Sequence, residues 1–192
     1  MEISPKLYHM FVRPKWFSKI YIGNIISSNF NFNDKIVLDF GCGIGSSCFM
    51  FDSSSYLGID CDSKRINYAK RLYLDYNFDV LQDNHMQVDD NSVDYILIVS
   101  VLHHIPSKML KDYIKEFYRV LKPNSMMIVI EPCLFEKSNF KNYFMTFFDK
   151  GKYIRNQNEY LNLFNNYFRV EVLKKYNQLL FYNKIFFVAT LE

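Results

Sequence analysis

The feature that most constrains this chain is Lys35-Ile36-Val37-Leu38-Asp39-Phe40-Gly41-Cys42-Gly43-Ile44-Gly45-Ser46-Ser47. It begins as a short apolar run bounded by turn residues, the pattern of a buried parallel strand. It ends in three glycines at alternate positions, followed by small hydroxyl residues able to open a helix. Glycine lets the backbone take positive φ and approach a ligand with no Cβ in the way. A strand, glycine loop and helix in this order cradle a nucleotide cofactor. A tight turn with no ligand is the alternative that the loop alone leaves open.

The charges around the loop bear on which cofactor it holds. A pyrophosphate wants backbone N–H groups and no nearby anion. Here Asp39 precedes the first glycine by two residues, the next strand pattern ends in Asp60, and no Lys or Arg lies between Ile36 and Asp60. That lining suits a ligand with cationic groups and ribose hydroxyls. The dinucleotide pattern also places its third glycine one position later than Gly45. Asp39-x-Gly41-x-Gly43-x-Gly45 resembles the first motif of the class I S-adenosylmethionine-dependent methyltransferases.

At 192 residues with 49% apolar composition, the chain is long enough for one domain with a well-buried core. Its 23 basic and 20 acidic residues leave a net charge of +3, too balanced to argue for nucleic acid or a membrane surface as partner. Cys42, Cys48, Cys61 and Cys133 form no CxxC pair and read as free thiols of a reducing compartment. No signal-peptide pattern or membrane-spanning run is present, so the expected location is cytoplasmic.

The remaining pattern alternates strands and helices. Apolar spacing predicts a helix from about Pro14 to Ser28, a short helix over 44–51, a strand at Tyr56–Asp60 and a helix over 63–73 with Ile66, Ala69, Leu72 and Tyr73 inward. Asp62 or Ser63 is placed to cap that helix. Strands follow at 78–81 and 93–99, then a helix from Ser107, its cap, to about Lys122. Pro123 stops it, and Asn124 can take the left-handed turn. A fifth strand spans Met126–Ile130 and ends in Glu131-Pro132. Helices near 140–149 and 158–168 precede strands at 170–174 and 184–190, with 176–183 as hairpin connection.

The resemblance covers residues 35–131, with four motifs in order. It implies an α/β, Rossmann-like, doubly wound seven-stranded sheet of order 3-2-1-4-5-7-6, the last strand antiparallel, with helices on both faces. It makes residues 1–192 a single methyltransferase domain, with 1–34 as an N-terminal cap. It implies S-adenosylmethionine as cofactor, S-adenosylhomocysteine as product and a small-molecule acceptor as partner. Asp39, Gly41, Cys42, Gly43 and Gly45 would hold the cofactor. Asp60, 19 residues after Gly41, would accept from the ribose hydroxyls with Cys61 beside it. Asp83 and Asn84 would meet the adenine, and Ser100 would close the site. Met86-Gln87-Val88 departs from the Leu-Pro-aromatic common in relatives, which loosens the assignment of Asp83.

Ser100-Val101-Leu102-His103 stands where amino-methylating nucleic-acid enzymes carry Asn/Asp-Pro-Pro-aromatic, and no Pro-Cys nucleophile is present. The branch implied is therefore the small-molecule one, and no metal is proposed. Imidazole suits general-base work near neutral pH. His103 is the expected base, Glu131 its orienter, and His104 a neighbour with a capping or packing role. Tyr8 and Arg13 are candidate acceptor contacts from the N-terminal segment. The aromatic-rich stretch 133–155, with Phe144 and Phe148, is a candidate lid over the acceptor. Two other readings remain open: a non-catalytic S-adenosylmethionine-binding module, and an NAD-dependent oxidoreductase.

Overall fold

The computed structural model describes residues 22–136, 138–149, 151–178 and 182–191. They fall in two compact units, Met1–Asp83 and Asn84–Glu192. In the first, a short helix α1 (Asn24–Ser27) precedes β1 (Val37–Phe40), β2 (Tyr56–Asp60), α2 (Ser63–Leu72) and β3 (Asn77–Val80). Most of the expected 14–28 helix lies outside the described residues. The strands pair in parallel as β3-β2-β1, with Phe40 opposite Ile59 and Asp60 opposite Val80. Val37, Leu38 and Phe40 of β1 are buried, as befits a parallel strand covered on both faces, and Asp39 is buried with them.

Helix α2 starts where its side-chain chemistry dictates. The Asp62 carboxylate accepts from the N–H groups of Lys64 at 2.9 Å and Arg65 at 3.2 Å, relieving two donors with no partner inside the helix. Ile66 and Ala69 are buried, but Leu72 is exposed. Leu72 sits roughly 120° around the helix from Ile66, off the inward stripe. The helix expected over 44–51 does not form. In its place are 3₁₀ turns at Cys48–Met50 and Ser53–Ser55. Serines and Asp52 crowd this stretch, and their side chains compete for backbone bonds; Asp52 Oδ1 takes the Ser54 N–H at 2.8 Å.

The second unit contains β4 (Val93–Val99), a 3₁₀ turn (Leu102–His104), α3 (Ser107–Val120), β5 (Leu121–Leu134), α4 (Asn139–Phe148), β6 (Arg155–Asn156), α5 (Gln157–Phe164), β7 (Arg169–Gln178) and β8 (Tyr182–Thr190). Strand order is β4-β5-β8-β7, with β6 also paired to β5. β8 runs antiparallel to both β5 and β7. The two orders, 3-2-1 and 4-5-8-7, correspond to the halves of the expected arrangement, with two-residue β6 as the addition. Leu110, Ile114 and Phe117 of α3 are buried, as are Tyr160 and Phe164 of α5 and Phe186 and Phe187 of β8.

Several boundaries differ from expectation. α3 ends two residues early, because Lys122 precedes Pro123 and is steered away from helical geometry. Asn124 does take positive φ, at 63°. Pro106, not Ser107, holds the cap position, and the Ser107 hydroxyl instead accepts from Arg155 at 3.0 Å. α5 begins at a reciprocal cap between Asn156 and Glu159 and ends before Phe168. The last two strands reach deeper into the expected hairpin connection, to Gln178 opposite Tyr182. Asn177 donates to the Asn183 side chain at 2.6 Å across that ladder.

Gly45 has φ of 75°, and an added Cβ would lie 2.7 Å from Phe78 Cζ. Left-handed strain and overpacking each cost about 1–2 kcal/mol. Gly45→Ala is expected to lower the melting temperature by about 4–16 °C in a thermal scan.

Candidate active site

Two constellations are built at the ends of strands. In the first unit, Asp39 is buried in β1 and accepts from the Tyr56 hydroxyl at 2.8 Å. Burial and the Asp39 charge hold the Tyr56 phenol well above its ordinary pKa, so it remains the donor. The N–H groups of Gly41 and Cys42 both bond Ile59 O, at 2.8 and 3.0 Å. The loop is thereby stitched to β2.

Gly43, at φ 59°, turns its N–H onto Asp60 Oδ2 at 2.8 Å. The Asp62 N–H fixes Oδ1 at 2.9 Å. Among the described residues, chain neighbours aside, a Cβ on Gly43 would come no nearer than 4.0 Å to any atom, Asp60 Oδ2 itself. The space beside the oriented carboxylate is therefore open. Each carboxylate oxygen keeps a lone pair for a hydroxyl. This cradle fits a ribose diol.

Cys42 is buried, and burial with the charges of Asp39 and Asp60 pushes its thiol up, so it contributes a neutral wall. Cys61 is exposed. Asp83 is also exposed, at a left-handed φ of 59°, and Asn84, exposed as well, opens the second unit.

In the second unit, Glu131 on β5 is completely buried. Its Oε1 accepts from the N–H groups of Val101 at 2.6 Å and Leu102 at 2.9 Å. Its Oε2 lies 2.7 Å from His103 Nδ1 and takes the His103 N–H at 3.4 Å. The structure thus brings His103 and Glu131 into contact. Burial opposes ionisation of Glu131, yet His103, Lys184 and the Val101 N–H hold it below the usual carboxylate range.

His103 is only 3% exposed. Its Nε2 lies 3.5 Å from Asp149 Oδ1. Burial disfavours the imidazolium, but Glu131 and Asp149 outweigh it and raise the His103 pKa. His104 is exposed and its ring centroid lies 4.0 Å from that of His103. Ser100, just past β4, has φ of 58°, donates its N–H to Ile130 O at 2.8 Å, and accepts from Lys184 Nζ at 2.6 Å.

Sequence reasoning missed five contributors. Asp149 accepts from the Gly151 N–H at 2.6 Å and the Tyr182 hydroxyl at 2.8 Å. Gly151 lies against the imidazole; a Cβ there would sit 2.0 Å from His103 Cδ2. Arg155 is buried and donates to Leu102 O, Ile105 O and Tyr153 O. Buried Lys184 reaches Ser100. The available signals were a cation opening the apolar run of β8 and an Asp-x-Gly turn after α4. On α4, Phe144 is half-buried, whereas Phe140, Tyr143 and Phe147 are 71%, 68% and 68% exposed. Tyr8, Arg13 and the Phe148 side chain lie outside what the structure describes.

Residues 37–124 match the family described as "Methyltransferase domain". Over 129 residues the chain is 27% identical to a sterol 24-C-methyltransferase of Candida albicans, covering 62% of this chain and 34% of that protein. Over 110 residues it is 34% identical to the 24-methylenesterol C-methyltransferase 2 of Arabidopsis thaliana, covering 53% and 30%. The chain therefore spans about a third of the length of these curated relatives. A solved SAM-dependent methyltransferase from Aquifex aeolicus matches with a TM-score of 0.69 and 20% identity, over 100% of both chains. That likeness bears out the expected Rossmann-like α/β fold.

The buried ions make stability pH-dependent. Asp149 and Glu131 have depressed pKa values, so their contribution is present above about pH 4 and lost as pH falls below it. His103 has a raised pKa, so its contribution is full below about pH 6.5 and lost as pH rises through the raised value. The melting-temperature gap between wild type and His103→Gln is expected to be largest between about pH 5 and 6.5 and to shrink towards pH 9. A gap constant across that range would show that His103 does not change its charge there.

Proposed function

Since the chain belongs to the class I S-adenosylmethionine-dependent methyltransferases, we propose that it methylates a small organic acceptor that loses a proton in the reaction. The cofactor is S-adenosylmethionine, which when bound supplies a methyl group already activated on a sulfonium sulfur. Asp60 receives the ribose hydroxyls. The backbone of Gly41, Cys42, Gly43 and Gly45, with Asp39 behind it, walls the donor, and Cys61 and Asp83 complete its contacts in that unit.

The observation that carries the reading is the 2.7 Å contact between His103 Nδ1 and Glu131 Oε2. Glu131 keeps the proton on Nδ1 and leaves Nε2 to take one from the acceptor. An acceptor of this kind carries a hydroxyl or an acidic carbon; a neutral amine needs no base. The sterol C-methyltransferases among the matched proteins support an apolar acceptor methylated at carbon. Phe144 of α4 contacts that acceptor, and the described residues of 133–155 cover it. His104 packs beside the base.

Two variants test the two constellations. Asp60→Ala is expected to weaken S-adenosylhomocysteine binding at least tenfold by calorimetry, the loss of a buried charge-assisted hydrogen bond of about 1.5–3 kcal/mol. His103→Ala is expected to lower turnover by roughly a hundredfold or more with that affinity intact, on a panel that includes sterol and phenolic acceptors. Full activity in His103→Ala would leave the protein a positioning device without a base.

A further inference from the structure

We propose that Asp149 is a positioning residue for this reaction: it holds the outer nitrogen of His103 while the imidazole is protonated and uncovers that nitrogen when the proton is lost. The inference rests on the reading of His103 as proton acceptor and extends it to the residue that controls access.

The imidazole is held at both ends. Glu131 of β5 meets Nδ1 at 2.7 Å and Asp149, just past α4, faces Nε2 at 3.5 Å. Asp149 is itself fixed, by the Gly151 N–H on Oδ1 and by the Tyr182 hydroxyl of β8 on Oδ2. Gly151 lies over the ring, and the Tyr153 N–H bonds the His103 carbonyl at 3.0 Å. Among the described residues, the other charged or titratable groups around the ring are His104, its ring tilted at 40° beside it, Lys184 of β8 acting on Glu131, and Arg155 of β6 on the Leu102 carbonyl.

This arrangement suits one protonation state. An imidazolium donates from both nitrogens and faces a carboxylate at each. A neutral imidazole keeping its Nδ1 proton for Glu131 would turn the Nε2 lone pair towards the Asp149 oxygen, and two acceptors repel. Losing the proton therefore loosens Asp149, and with it Gly151, from the ring. The nitrogen thus uncovered is the one the reaction needs. When the acceptor's proton passes to Nε2, its electron pair stays on the acceptor atom. The new imidazolium again attracts Asp149, and once its Nε2 proton has passed to solvent the nitrogen is uncovered again. Removing a carboxylate within about 4 Å lowers a neighbouring histidine's titration by about 1 unit or more.

The experiment follows His103 by imidazole NMR titration in the full chain, without acceptor. Wild-type His103 is expected to titrate above a free imidazole, and Asp149→Asn to bring it down by about 1 unit or more. Should Asp149→Asn fail to fold, Asp149→Ser, which keeps a hydroxyl for the Gly151 N–H, is expected to give the same shift. Hydrogen exchange at the Gly151 and Tyr153 amides, corrected for intrinsic rates, is expected to quicken as pH rises through the His103 titration in wild type, and not in the variant. A stability role alone would not link exchange to that titration. An unchanged His103 titration, or exchange independent of it, overturns the proposal. These outcomes are separate from the turnover of His103→Ala: that variant can be inactive, keeping His103 as base, while the Asp149 proposal falls.

Discussion

The carboxylate of Glu131 is the interaction on which the second unit turns. A fully buried charge survives only where it is paired and its lone pairs are met. Glu131 is met by the Val101 and Leu102 N–H groups and by His103. Each partner comes from the turn after β4, while the acid comes from β5. Removing the carboxylate would leave the Val101 and Leu102 N–H groups without this acceptor, each buried donor so orphaned costing about 1–3 kcal/mol. The acid therefore shapes the β4 turn and sets the tautomer of the histidine in it.

The first unit applies the same device to different chemistry. Asp60 is gripped by the Gly43 and Asp62 N–H groups, leaving the carboxylate fixed before any ligand arrives. Preorganisation lowers the ordering cost of binding. Gly43 is required because its N–H can point at Asp60 only from a left-handed backbone. In both units an acid at a strand end and backbone N–H groups from a neighbouring turn define the site.

Much of this was legible in the sequence, for identifiable reasons. β1, β2 and β4 are short runs with clear bounds, and Asp60 ends its strand as read. The contact between His103 and Glu131 followed from expecting the fourth and fifth strands to be neighbours. The helix after the glycine loop was misread, because serine spacing alone does not separate a helix start from a run of local side-chain bonds. Asp149, Tyr182 and Arg155 were invisible because they meet His103 and its turn only through tertiary packing: Asp149 follows α4, Tyr182 opens β8, and no local pattern links them. Lys184 breaks an apolar strand, a signal that marks a buried charge without naming its partner.

The central claim is that the His103–Glu131 pair takes the acceptor's proton during S-adenosylmethionine-dependent methyl transfer. The pH dependence of kcat/KM tests it most directly, with S-adenosylmethionine saturating and an acceptor that does not titrate between pH 5 and 9. With His103 as base, the rate is expected to rise with pH and level off above a midpoint higher than the ordinary histidine value, with the limb lost in His103→Ala. A rate flat from pH 5 to 9 in the wild-type protein would contradict it.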